Sequence, residues 1–167
     1  MMSIYVLGPL FPIILGIHNV EEYFRHDDFI QSYPPRIARW LTRPIIRSAM
    51  VLLTLATAAV SLLTWIYRTP WLLDISLIAD FALMLNAFSH VGRSLLHHSL
   101  TPGTLSALCL VLPYSLLVVA TLRLSEGMSW SAMFRLMALG IPMIPVAVLV
   151  FLALGYALSF ARRTTAR

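Results

Sequence analysis

Lysine is absent from this 167-residue chain, and all 12 basic residues are arginine. Acidic residues number only 7, and charged residues together make up 11% against 59% hydrophobic. A soluble domain carries about 25% charged residues, so a water-solvated globular surface is excluded. Cysteine is nearly absent as well. The single thiol, Cys109, excludes an internal disulfide framework, and its apolar surroundings predict an inert core residue. The arginines flank apolar stretches and do not cluster on a polar module, which argues against a nucleic-acid partner. A basic leader and an Ala-x-Ala site are also missing, so the first apolar stretch is expected to stay in the protein.

What the chain does have is hydrophobic length, with a mean hydropathy of +0.84. Five apolar segments are predicted to span a bilayer, each near or above the roughly 20 residues required. They run from about Ser3 to Phe24, Ile46 to Tyr67, Trp71 to beyond His90, Leu105 to Leu122 and Ser131 to Phe160. The expected fold is all-α: one integral membrane domain over residues 1–167, a polytopic helical bundle. Pro12 predicts a kink by freeing the Gly8 carbonyl, and Pro113 another in the fourth span. Thr54/Ala58 and Thr57/Ser61 place small residues four apart, where a neighbouring helix can approach. His26-Asp27-Asp28 is expected to be a solvated turn. Arg36, Arg39, Arg43 and Arg47 recur at helical spacing, with Ile37, Trp40 and Leu41 on the other faces. That pattern predicts a short amphipathic helix on an anionic lipid surface, with membrane lipids as its partners.

Five spans divide the arginines unequally. Arg25, Arg36, Arg39, Arg43, Arg47, Arg93, Arg162, Arg163 and Arg167 fall on one side, and Arg68, Arg123 and Arg135 on the other. The excess of positive charge inside then sets the N-terminus outside and the C-terminus in the cytoplasm, in the inner membrane expected of a bacterial protein.

The chemistry concentrates in His18-Asn19-Val20-Glu21-Glu22. At about 100° per residue, Glu22 lies about 40° from His18 and Glu21 about 60° on its other side, so the three share one wedge of a helix. On the third span, Asn86, His90, Arg93 and His97 form a narrow stripe, while Asp80 lies about 120° from Asn86. Counting at 1.5 Å per residue puts His18 and His90 both roughly 22 Å from the outer face. The predicted constellation is His18, Glu22 and His90 as metal ligands, Glu21 as general base and Asn86 orienting a ligand or substrate. His97, about 10 Å further along the axis, is an additional candidate. Imidazole with carboxylate suits Zn, Fe or Mn as a divalent ion. A plainer alternative pairs Glu21 and Glu22 with Arg25 at helical spacing and needs no ion.

His18-x-x-Glu21-Glu22 resembles the motif that names the HXXEE family of small integral membrane proteins. Asn86-Ala87-Phe88-Ser89-His90 is similar to that family's downstream histidine element, and Leu100-Thr101-Pro102-Gly103 to its Tyr-x-Pro-Gly motif, with Leu100 in place of the tyrosine. The resemblance covers about residues 8 to 115. It singles out the same side chains and implies no established activity. Two functions remain open on the residues. One is a metal-dependent enzyme acting on a lipid or apolar small molecule, by hydrolysis or, with iron, oxidation. The other is a proton- or ion-coupled transporter using the same cluster. The lack of an internal repeat and of a polar track across the membrane favours the enzyme.

Overall fold

The structure, a computed structural model, describes residues 3–31 and 34–165. Every regular element in it is helical. In order they are α1 (Ile4–Leu7), α2 (Leu10–Phe24), α3 (His26–Gln31), α4 (Pro35–Ala38), α5 (Arg43–Tyr67) and α6 (Pro70–Leu96). There follow α7 (Thr104–Ser106), a π-helical turn (Ala107–Val111), α8 (Leu112–Leu124) and α9 (Trp130–Thr165). They combine into 5 helical runs long and apolar enough to cross a membrane: Ile4–Phe24, Arg43–Tyr67, Pro70–Leu96, Thr104–Leu124 and Trp130–Ala161. The expected all-α bundle is therefore the observed architecture.

The prolines act differently from expectation. In the first run the break falls at Gly8–Pro9, and the Gly8 carbonyl is not free but accepts from Phe11 N–H at 3.1 Å. Pro9 and Pro12 both lack a donor, so the ladder shortens by one residue there and restarts. In the fourth run the π turn precedes Pro113, with Leu112 N–H reaching back to the Ala107 carbonyl. Widening the turn lets the helix carry a residue with no N–H. Cys109 sits on that turn and is exposed on the outer surface, not in the core.

The arginine-rich connection also departs from expectation. Residues 36–47 do not form one surface helix: α4 is a single turn, and Arg43 and Arg47 already belong to α5. Pro44 occupies the first turn of α5, where a missing N–H costs nothing, so the longer helix starts there. Next to it, His26 is buried, with Nε2 3.2 Å from the Leu41 carbonyl and Nδ1 3.0 Å from Asp27. His26-Asp27-Asp28 opens α3 and is no loose turn. Hydrogen bonds from His26 and from Arg43, the latter at 2.8 Å, hold the Asp27 carboxyl below its ordinary pKa.

The core lies between the first, third and fourth runs, with Phe11, Leu15, Leu77, Phe81, Val111 and Leu122 among its buried members. Helix α9 packs on α5 and α6 through its small residues. A side-chain carbon at Gly155 would stand 2.5 Å from the Ile45 carbonyl, and one at Gly140 3.0 Å from Ala82 N, so backbones approach closely at both crossings. Asp80 is buried on α6, apart from the His/Glu cluster, and accepts from Tyr114 Oη at 3.3 Å.

The topology puts the C-terminal ends of α2 and α6 side by side and folds the 97–103 loop back over them. A hydroxyl clasp fixes that loop. Ser94 Oγ lies 2.9 Å from Thr101 Oγ1 and 2.6 Å from Thr104 Oγ1, and it accepts the Thr101 N–H at 2.9 Å.

Candidate functional site

Helix α2 ends in His18 and Glu22, one turn apart, and α6 brings His90 against them. His18 and His90 are each 1% exposed. Glu22 Oε1 lies 3.0 Å from His90 Nε2 and 3.8 Å from His18 Nε2. One ligand atom from each of the three residues falls within 4.8 Å of the others. Ligands about 2.1 Å from a tetrahedral ion would stand roughly 3.4 Å apart, so the spacing suits a shared ion. Asn86 Nδ2 lies between the rings, 3.2 Å from His18 Nε2 and 3.1 Å from His90 Nε2; of the two nitrogens it can donate only to one that carries a lone pair.

Hydrogen-bond counting orients the imidazoles. Arginine only donates, so the 3.2 Å contact from Arg93 Nη2 makes His90 Nδ1 an acceptor. The proton of that ring then sits at Nε2 and points at Glu22. Ser106 donates to the Gly103 carbonyl at 3.2 Å, and its Oγ lies 2.8 Å from His18 Nδ1. Its oxygen therefore accepts the His18 Nδ1 proton, which leaves the His18 Nε2 lone pair facing the cluster. Second-layer contacts of this kind set which nitrogen is free to bind.

Glu21 is not where the sequence placed it. Its two oxygens accept the backbone N–H of Leu105 at 3.2 Å and of Ser106 at 2.7 Å. These donors open the fourth run, where unpaired N–H groups attract a carboxylate. Glu21 thus clamps α7 and, through Ser106, positions His18; it does not line the cavity beside the cluster. The role expected of it, a general base facing that cavity, needs correction. The alternative Glu21/Glu22–Arg25 pairing does not form either, because Arg25 bonds Asp28 at 3.1 Å. His97 is exposed at the C-cap of α6 and is not part of the converging group.

Two residues escaped the reasoning from residue type. Ser106 carries no motif of its own, and only its spacing after Pro102-Gly103 hints at a role. Gly103, at φ +82°, lies directly over both rings: a Cβ there would be 2.9 Å from His18 Cε1 and 3.0 Å from His90 Cε1. The Pro-Gly element is thus the lid of the cluster.

A cavity of about 200 Å³ adjoins the group. Phe11, Leu15, Leu53, Leu83 and Met143 contribute apolar wall, while His18, Glu22, Asn86, His90 and Arg93 gather at one side of the lining.

Fold and site together define a class: a small bundle of helices long enough to cross a membrane, with a buried His/Glu cluster near one end. Within it, the chain belongs to the family described as protein of unknown function with HXXEE motif, whose model matches residues 9–118. His18, Glu21, Glu22, Asn86, His90, Gly103 and Ser106 all fall inside the matched stretch. Comparison with curated proteins and with solved structures found no match for the chain.

Proposed function

We propose that this is an integral membrane enzyme that holds one divalent transition metal, Zn, Fe or Mn, and acts on a lipid or other apolar small molecule, with hydrolysis favoured over oxidation. The observation that carries the reading is the convergence of His18, Glu22 and His90 on one point inside the bundle. His18 Nε2 offers a lone pair, Glu22 a carboxylate, and His90 Nε2 a lone pair once its proton leaves. When bound, such an ion supplies Lewis acidity and an acidified water. The residues supply the rest. Asn86 donates to His18 Nε2, Glu21 and Ser106 fix the His18 ring, and the His90–Glu22 pair holds a proton between Nε2 and Oε1.

Elemental analysis tests the metal. About one Zn, Fe or Mn per chain is expected in gently purified protein. His90→Ala and Glu22→Gln should bring it near zero while helical content by circular dichroism is kept. Ligands must lose protons to bind, so retention should weaken as the pH is lowered. Near-zero metal in the wild type, with no uptake of added Zn²⁺, Fe²⁺ or Mn²⁺, overturns the reading.

Membrane integration rests on the five long apolar helices and on their outer surface. Trp65, Tyr67, Trp71 and Trp130 are exposed toward one end of the bundle, and Phe24, Trp40 and Tyr156 toward the other. Aromatic residues at both ends suit the two interfaces of a bilayer. In the proposed orientation the His/Glu cluster lies near the cytoplasmic face of the inner membrane. In a chain with Cys109→Ser, a cysteine placed at Glu126 should react with a membrane-impermeant reagent from outside, and one at Thr165 only after the membrane is opened. The reverse labelling pattern refutes the orientation.

Ion- or proton-coupled transport has one observation in its favour, the buried Asp80–Tyr114 pair deep in the bundle. Among the described residues no hydrogen-bonded chain joins that pair to the cluster, and the enzyme reading is preferred.

A further inference from the structure

Arg93 stands in an unusual position for a cation. It is part of α6, in a run long enough to cross a membrane, and it lines the cavity beside the cluster. Among the described residues no carboxylate lies within ion-pair distance of it. Its Nη2 donates to His90, while its Nε is buried with no hydrogen-bond partner. The nearby carboxylate that might have paired with it, Glu22, is engaged with His90. A buried donor without an acceptor costs about 1–3 kcal/mol, and more when it is charged. A guanidinium in a membrane helix ordinarily faces a partner or a polar cavity. No carboxylate of the described residues fills that role for Arg93, and the side chain lines a cavity, although its buried Nε is closed off from that space.

The cavity supplies the second half of the pattern. Away from Arg93 and the cluster its walls are mostly apolar, formed by Phe11, Leu15, Leu53, Leu83, Met143 and Ala147 among others, with Asn19 and Thr57 the polar exceptions. At about 200 Å³ it is somewhat larger than the roughly 150 Å³ cavity that accepts a benzene ring. It therefore takes a short length of chain or a small ring, not a whole lipid. Head and tail requirements meet in one ligand: an anion for the guanidinium fork, with alkyl carbons for the apolar wall.

We propose that the cavity binds an amphiphile with an anionic head, a carboxylate or a phosphate, seated on Arg93 with the first part of its tail between α2, α5, α6 and α9. Arg93 fixes the head, and the apolar wall fixes the register of the chain, so one bond near the head is held beside His18, Glu22 and His90. For its chemistry this rests on the metal-enzyme reading above; for binding it does not. The charge balance is consistent with both states. Glu22 and Arg93 cancel in the lining, and a divalent ion would add positive charge that favours an anionic ligand further.

The test is binding of three probes of equal chain length, dodecanoate, dodecyl phosphate and dodecanol, to the full chain in a non-ionic maltoside detergent. Binding is followed by calorimetry, and metal content is measured on the same samples. At least one anionic probe should bind about tenfold or more tighter than dodecanol, and the preference between the two anions identifies the head. Arg93→Gln, which keeps a polar amide on a shorter side chain but loses the charge, should erase that preference, a loss of about 10–100-fold as expected for a charged hydrogen-bonded contact. Ala147→Phe leaves every charge in place but fills the cavity, and it should weaken all three probes. Equal binding of the anions and dodecanol overturns the proposal. So does an anion preference that survives Arg93→Gln, or binding unaffected by Ala147→Phe. Anion binding by metal-free protein that takes up no metal would sink the enzyme reading and leave this one standing. Metal-loaded protein with no anion preference does the opposite.

Discussion

Replacing Gly155 by alanine should lower the unfolding temperature of the detergent-solubilised protein by roughly 4–12 °C. The added carbon would stand 2.5 Å from the Ile45 carbonyl oxygen and 3.1 Å from Ala49 N. Both neighbours are backbone atoms inside α5, so no side chain can turn aside and the two helices must part. Overpacking of this kind costs about 1–3 kcal/mol; the upper part of that range, in a chain of this length, gives the stated shift. Apolar area cannot compensate, because in a bilayer separated helices lose contacts but gain equally apolar lipid. Gly92→Ala is the matched control. It lies within α6 with nothing within 4 Å of the added carbon, and the gain in helix propensity, about 1 kcal/mol, should leave that variant as stable as the wild type or more so. A Gly155→Ala protein that unfolds with the wild type would show that α5 and α9 do not cross there.

Gly103→Ala should disable the site while leaving the bundle assembled. A non-glycine residue in the left-handed region costs about 1–2 kcal/mol, a small part of the effect. The larger part falls on the two imidazoles, 2.9 and 3.0 Å from the new carbon. Neither ring has room to swing. His18 is tied to Ser106 and Asn86, and His90 to Glu22 and Arg93. The methyl must push them apart or lift the 97–103 loop off its clasp, and either way the ligand atoms separate. On the proposed metal reading, affinity should fall by about 10–100-fold, the usual consequence of disturbing groups that orient ligands, with helical content unchanged. Wild-type affinity in this variant would remove Gly103 from the site.

Much of this was legible beforehand, for identifiable reasons. Helical periodicity settles which residues of one helix share a face, so His18 with Glu22, and Asn86 with His90, were read correctly. Depth counting worked across two helices because both run in one direction from the same end. Glu21 was misjudged because its partners, Leu105 and Ser106 N–H, belong to another run and are backbone atoms. No side-chain pattern announces them. Arg25 had two carboxylates at good helical spacing and took Asp28 instead, because α2 ends at Phe24 and Arg25 is its cap. The surface helix over 36–47 failed for a reason present in the sequence: Pro44 starts helices more readily than it continues them. Gly103 could be noticed through its family motif, but its contact with both histidines depends on how the loop returns, which the Ser94–Thr101–Thr104 clasp decides.

Two helix starts are closed by carboxylates from other parts of the chain: Ile4 N–H by Glu126, and the Leu105 and Ser106 N–H groups by Glu21. That arrangement has a consequence for the order of synthesis. The first run is the least apolar of the five, with a mean hydropathy of 1.4 against 1.6 to 2.5 for the others. It carries Glu21 and Glu22, and it leaves the ribosome long before the later groups that bond them. The carboxylate that accepts its Ile4 N–H is 122 residues away, and His90 and Ser106 belong to later runs. A nascent chain stopped after the second run would hold two carboxylates and a histidine with none of these partners, a poor resident of lipid. Retention of the first helix in a bilayer is therefore expected to be a late event, completed when the fourth run arrives.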